Sequence, residues 1–508
     1  MANVEERTPL QQHVVSILHH VINARIDNCL IPRVTDAMRS DERNDQFFYP
    51  LVVSLGPYHH GQPQLERMEQ YKLVALKQYF SHNNGSSAPN PITEMHFITS
   101  CFLSFFRTEA INAKKWYEID DLDEDEQVLF VWMMFVDISF ILNFMKQAVG
   151  TRTPDPDVAG GGHDASFRLS SHEEALVVRD IMLLENQIPF ELVRIFCDIK
   201  RYVESFIHSE DGRRSTEEQP VTRARLPFQA TRFVPAGPQP QQQQPQSSRT
   251  RIEPCVLMNA FVDKLIRHFR LQPETPTSSS LPSSHSSDQA EPKHLLDLLR
   301  RKIIGEESSS NHSDDHEQQS TGGQWYSFRS MKELKEAGIK FRKSSDTNQL
   351  KNIRFNSKLF RGELYLPVIM VDDSTKSRLL NIMAYEMGQG GPPDRAVTSY
   401  AWFMDSLIDS AEDVKELRSK GILLNALGSD EEVAELFNTL TTGATPDPAA
   451  YAHVKSSIES HCRTRWKVSL ANLYHTHFSS PWATIAFIAA LLLLILTICQ
   501  TFFAAFPR

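Results

Sequence analysis

From Pro481 to Phe506 the chain reads PWATIAFIAALLLLILTICQTFFAAF, without a single charged residue. As a helix rising about 1.5 Å per residue this run is ~39 Å long, more than the ~30 Å hydrocarbon core of a bilayer. It is long enough to span with some tilt. Trp482 at one end and Phe502, Phe503 and Phe506 at the other flank the Leu491 to Leu494 centre, as interfacial aromatic residues do. A buried core helix is the alternative, but only Pro507 and Arg508 follow to cover it, so the expectation is a membrane span.

The opening residues, MANVEERTPL, are acidic where a signal peptide is basic, and no apolar stretch follows them. Arg463, Arg465 and Lys467 precede the span and Arg508 alone follows it, so the positive-inside rule places the amino-terminal bulk in the cytosol. The expectation is a tail-anchored protein of the plasma membrane or an endomembrane. The opposite orientation keeps some support from two N-x-S sequons, at Asn84 and Asn311.

Val128 to Met145, VLFVWMMFVDISFILNFM, raises the same question. Asp137 argues against a second span, because a carboxylate at mid-bilayer costs about 2.5–3.5 kcal/mol on insertion scales. The acidic residues between Asp120 and Glu126 suit the solvated amino end of a helix buried in protein. A core helix is expected, with Asp137 hydrogen-bonded or facing a cleft.

Taken whole, the chain has a composition near that of soluble proteins, 41% hydrophobic and 23% charged. With 53 Lys plus Arg against 63 Asp plus Glu, and no basic run to follow a phosphate backbone, nucleic acid is not an expected partner. Six cysteines without a C-x-x-C pair argue against a disulfide framework or a structural zinc site.

Periodicity and caps predict a mainly α fold with a small β element. Thr8-Pro9-Leu10-Gln11 opens a first helix, and further helices fit Leu65 to Phe80, Thr93 to Ala113, Glu126 to Ala148 and Glu173 to His208. Leu51 to Leu55 reads as a short β-like run ended by Gly56-Pro57. Pro- and Gln-rich sequence near Gln241 to Gln244 cannot offset its ordering entropy, so 209–252 reads as a disordered insert between a helical part, 1–208, and short helices with polar linkers, 253–328. In the last of these, helices fit Pro254 to Arg270 and Lys293 to Ile304. A second folded part, 329–480, starts with the capping signature Ser330-Met331-Lys332-Glu333, a stop at Gly338, and a hairpin from Ile353 to Phe360 and Glu363 to Val371. Helices then fit Ser374 to Met387, Val397 to Ser410, Glu431 to Thr441, and Ala449 onward to the anchor, 481–506.

Phosphate-binding, nucleophile-elbow and H-E-x-x-H motifs are absent from the sequence. The pairs His19-His20 and His59-His60, with His475-x-His477, have no third ligand spaced to join them, so no metal is assigned. Asp372-Asp373, between an apolar run and a helix, reads as a cap rather than a cation site. In Leu183-Leu184-Glu185-Asn186-Gln187-Ile188-Pro189-Phe190, Pro189 should kink the helix and free a carbonyl for Asn186 or Gln187, giving a buried polar network rather than a catalytic Glu185.

Several segments together resemble a plant family, domain of unknown function 247, also called uncharacterised protein family 0481. They are Val52 to Gly61 (VVSLGPYHHG), Met68-Glu69 with Lys72, Leu183 to Phe190, Ala337 to Phe341, Leu366 to Ile369, and the terminal span. The resemblance implies a mostly α-helical, single-pass plant membrane protein with no established enzyme activity, and some grass members are implicated in pollen and stigma self-incompatibility. The Gln/Pro-rich insert and Glu191, where a second aromatic often follows Phe190, depart from the usual pattern. The expectation is therefore a membrane-anchored recognition or signalling protein that binds an unidentified protein partner, not an enzyme, with no catalytic, cofactor or metal residue assigned. The rivals are an enzyme with an unrecognised site near Asp137, Glu185, His59 and His60, and a structural membrane tether.

Overall fold

The computed structural model describes residues 31–81, 91–150, 169–207, 254–269, 291–305, 329–344, 349–358, 361–463 and 481–505. The expected first helix, the Gln/Pro-rich insert, both sequons and the pairs His19-His20 and His475-x-His477 lie outside the described residues.

The fold is mainly α. Asp123 and Ser170 start the Glu124–Val149 and Ser171–Asp180 helices with complete capping boxes, closed by Glu126 and Glu173. The expected helices near 65–80 and 93–113 are Glu66–Ser81 and Pro91–Asn112. They pack with Glu124–Val149 and Phe190–Ile207 around a knot of Phe80, Phe102, Phe106, Phe135 and Phe196, in which the Phe102 and Phe196 ring centres are 4.7 Å apart. Each such ring, fully buried, contributes about 1.5–3 kcal/mol of transfer free energy.

Three expectations need correction. Leu51 to Leu55 forms no strand, because its amides find side-chain acceptors rather than a neighbouring strand. The single kinked helix expected over Glu173 to His208 is two helices, Ser171–Asp180 and Phe190–Ile207, separated by a single 3-10 turn at Leu184–Asn186. Pro189 sits just before the second helix and therefore removes no bond from within one. The second arm of the hairpin is also two strands that belong to different sheets.

Those sheets are small. β1 (Ile339–Lys343) pairs parallel with β3 (Gly362–Leu366), and β2 (Arg354–Ser357) pairs antiparallel with β3 on its other side. The antiparallel arm is the predicted hairpin. β4 (Ile369–Val371) instead pairs parallel with β5 (Leu423–Asn425), a strand the sequence reading missed together with the preceding Ala411–Ser419 helix. As expected, Ser330 accepts the Glu333 amide at the start of Met331–Glu336, and Gly338 at φ 78° turns the chain into β1.

Among the described residues, the other helices of ten or more residues in the body are Pro254–Phe269, Leu295–Ile304, Thr375–Met387, Ala396–Leu407, Asp430–Leu440 and Ala452–Arg463. Buried apolar residues from Ile31 through Ile458 form one continuous cluster, so sequence on both sides of the polar inserts shares a core. Pro481–Ala505 is one apolar helix, and its Ile485–Phe502 stretch buries nothing against protein. The similarly apolar Glu124–Val149 helix has 78% of its most apolar window buried, as Asp137 foretold.

Candidate functional site

The amino-terminal half is organised around buried polar side chains from the extended run Val52 to Gly61, the turn between Asp180 and Phe190, and the two helices that cross beneath them. Asp180, the last residue of its helix, receives three successive amides on one oxygen: Leu51 at 2.9 Å, Val52 at 2.7 Å and Val53 at 3.1 Å. Its other oxygen accepts from Arg179 Nη1 at 2.7 Å. Asn186 continues the pattern, accepting the Leu55 amide and donating to the Val53 and Asp180 carbonyls. These two side chains take the place of a partner strand.

Gly56 then donates its amide to Asp137 Oδ2 at 2.9 Å, while Asp137 Oδ1 accepts from Lys72 Nζ at 2.6 Å. Lys72 is fully buried and also donates to Glu69 Oε1 at 2.7 Å. A buried ammonium needs such partners, because removing it from water costs several kcal/mol. Burial pushes the Asp137 carboxyl above its ordinary range even though the Lys72 charge opposes the shift. Burial pushes Asp180 up as well, against the pull of its three amides.

Gly56 has φ 71°, and a Cβ there would lie 3.2 Å from Tyr117 Oη and 3.3 Å from the Gln187 carbonyl. Tyr117 donates to that same carbonyl at 3.0 Å. Gly56→Ala is therefore expected to lower stability by about 1–2 kcal/mol through the left-handed backbone alone, with more from the crowding. Chemical denaturation should show the loss, and an unchanged midpoint would contradict this geometry.

Glu185 ties the turn to the first described residues. Its Oε1 accepts the Val34 amide at 2.8 Å and Arg39 Nη2 at 2.9 Å, and His59 Nε2 makes an off-axis approach of 3.3 Å to Oε2. Burial would raise the Glu185 carboxyl, but His59, the Val34 amide and Arg39 outweigh it and hold it below its ordinary value of 4.5. A depressed acid stabilises the fold above its unfolded value and loses that contribution as pH falls through the folded one. Glu185→Gln should therefore cost about 2 kcal/mol near neutrality, with its deficit against the wild type shrinking below pH 4.5. Denaturation midpoints from neutral to acidic pH test this, and a deficit constant with pH would sink it.

Gln187 donates to the Ile181 and Leu183 carbonyls and accepts the Leu296 amide, and Asn381 accepts the Leu184 amide. The turn thereby clasps helices from the second half of the chain. The polar network expected from Asn186 and Gln187 is present, but it is built on an open turn rather than on a kinked helix.

The residues of the enzyme rival fall into three separate settings. Asp137 joins Lys72, while Glu185 joins His59 and Arg39, and His60 is exposed on its own. Asp137 and Glu185 are only 1% and 3% exposed, and each already accepts a backbone amide. Asp372 accepts from the Ser374 amide and hydroxyl, the Thr375 hydroxyl and Arg378, so it braces the helix start as expected. Among the described residues no three His, Cys, Asp or Glu side chains are grouped to hold a metal. Lys72 stood out in the sequence only within the family blocks and Gly56 only as a chain break and within them, while nothing in the sequence singled out Asp180, Arg39 or Asn381 directly. The one available signal for Asp180 was a β-like run, Leu51 to Leu55, with no second strand nearby to pair with it.

Three of the blocks on which the resemblance rested, Val52 to Gly61, Met68-Glu69 with Lys72, and Leu183 to Phe190, contribute to this network, and residues 31–496 match DUF247, a plant protein of unknown function. The chain belongs to the DUF247 family. Among similar proteins of Arabidopsis thaliana, "Putative UPF0481 protein At3g02645" is 24% identical over 525 residues, covering 91% of this chain and 88% of its own. "UPF0481 protein At3g47200" is 24% identical over 492 residues, covering 94% and 86%. No solved structure matches significantly. In this DUF247 chain, the GPYHHG and LLENQIPF blocks are the two sides of one buried hydrogen-bonded joint.

Proposed function

We propose that this DUF247 protein is a membrane-anchored recognition or signalling module, held in a bilayer by Pro481–Ala505 and binding another protein through its helical body. The observation that carries the reading is the contrast between two apolar helices. The most apolar window of Glu124–Val149 is 78% buried, whereas that of the terminal helix, Ile485–Phe502, is 0% buried. A run of that length left in water is strongly unfavourable, and lipid is the solvent that suits it. In this reading the buried carboxylates position helices and carry no catalytic step.

The reading extends to the cytosolic placement of the body, favoured by Arg463, Arg465 and Lys467 beside the span. It also extends to recognition between cells, of which self-incompatibility is the case the family resemblance suggests. Deletion of Pro481 to Arg508 is the test. The full chain should stay with membranes through an alkaline carbonate wash and the deletion variant should not, and an identical distribution of the two would overturn the anchor. Glycosylation mapping at Asn84 and Asn311 addresses the side, since a glycan at either site would place that segment outside the cytosol. Affinity capture from reproductive-tissue membranes that repeatedly yielded no specific protein partner would count against recognition.

A further inference from the structure

An open depression of about 320 Å3 lies far along the chain from the joint, between the end of Thr375–Met387, the start of Ala396–Leu407 and the turn before Ala452–Arg463. Its size is at the low end of the about 300–1,000 Å3 usual for small-molecule sites. Met387, Pro392, Pro393 and Pro448 supply apolar walls, and Glu386, Arg395 and Asp447 supply charge.

Most of that charge is already committed. Glu386 accepts from Arg300 Nε at 2.6 Å, from the Val397 and Thr398 amides and from the Thr398 hydroxyl, so it caps the helix and neutralises the arginine. Asp394, next to Arg395, is paired with Arg300 and Lys351. Asp447 accepts the Ala449 amide at 2.9 Å. Arg395 differs: its guanidinium reaches only the Thr445 carbonyl, at 3.4 Å, with no carboxylate of the described residues within ion-pair distance.

Backbone conformation marks the same place. Among the described residues, Arg395 at φ 36° and Tyr451 at φ 58° are the two non-glycine residues with left-handed backbone. Arg395 lines the depression, and Tyr451 closes the turn that carries Asp447 and Pro448. Such conformations are unfavourable for a side chain of this size and persist where surrounding structure imposes them. Here they place an uncommitted guanidinium at the edge of a hollow whose wall is part polar and part apolar.

We propose that this depression binds a small organic monocarboxylate, with its carboxylate received by Arg395 and its apolar body resting on Met387, Pro392, Pro393 and Pro448. A guanidinium presents two parallel donors that match a carboxylate edge. A single free positive charge with Asp394 and Asp447 nearby suits a monoanion, whereas a phosphate dianion would meet net repulsion. The assignment is independent of the recognition reading, because it concerns a small molecule rather than a protein partner and no part of the anchor.

The test uses the full chain in lipid nanodiscs, titrated with benzoate, phenylacetate and hexanoate beside benzamide, phenylacetamide and hexanamide, with affinities from calorimetry and saturation-transfer NMR. At least one carboxylate should bind tenfold or more tightly than its amide. Arg395→Gly, which suits the backbone and removes the guanidinium, should weaken that binding at least tenfold with an unchanged or raised melting temperature. Arg395→Asn, which also tolerates the left-handed conformation, should do the same if the glycine variant folds poorly. The proposal falls if none of the carboxylates binds, if amides bind as well as acids, if both folded variants bind like the wild type, or if inorganic phosphate binds more tightly than every carboxylate tested.

Discussion

Replacing Lys72 with methionine should lower the stability of the body by about 3–5 kcal/mol, the usual cost of removing one member of a buried ion pair. Lys72 is fully buried, and its ammonium lies 2.6 Å from Asp137 and 2.7 Å from Glu69. Methionine keeps the packing of the stem but leaves the Asp137 carboxylate facing Gly56 alone. Burial already pushes that carboxyl up, and without the ammonium it should rise further. For an acid with a raised folded pKa, stability falls as pH climbs from the unfolded value toward the folded one. Because the wild-type carboxyl is itself raised above 3.8, the deficit of Lys72→Met should widen as pH climbs through that raised wild-type value toward the variant's still higher one. Lys72→Met combined with Asp137→Asn should recover much of the loss, because asparagine can still accept the Gly56 amide without a charge. Urea denaturation of the three variants across pH decides the matter, and a deficit independent of pH, or a double variant worse than the single one, would refute the account.

The second large effect is expected at Asp180. Asp180→Ala removes the acceptor of three successive amides, of which Val53 is fully buried while Leu51 can turn to water. One orphaned buried donor costs about 1–3 kcal/mol and each charge-assisted bond about 1.5–3 kcal/mol, so a net loss of about 3 kcal/mol is expected after burial of the carboxylate is relieved. Hydrogen exchange gives the more specific readout. Protection should fall first at the Val52, Val53 and Leu55 amides, before the helices open. Uniform loss across the body, with no earlier release of this segment, would mean that Asp180 acts only through global stability.

These two sites show what the GPYHHG and LLENQIPF blocks do in this chain. GPYHHG supplies the left-handed Gly56 that offers its amide to Asp137, and His59, which approaches Glu185. LLENQIPF supplies Glu185, Asn186 and Gln187, whose side chains satisfy backbone groups from Val34 to Leu296. The polar residues that looked most like catalytic candidates are thus the mortar between distant segments, a role open to any buried group whose partners are all in place.

Much of this chain was legible because the signals are local. The capping signature at Ser330 and apolar spacing at three and four residues located most helices to within a few positions, since helical hydrogen bonds join residues four apart. The uncharged run from Pro481 and the mainly α class followed from the same kind of reading. What the tertiary structure alone decided depends on partners far away in sequence. Leu51 to Leu55 stays out of any sheet because Asp180 and Asn186 reach it first, and Glu363 to Val371 divides because β1 waits on one side of Pro367 and β5 on the other. Two helices of similar apolarity were already told apart in the sequence by Asp137, but how far each is enclosed, one window 78% buried and the other bare, was decided by tertiary structure, because burial is a property of neighbours and not of the residues themselves.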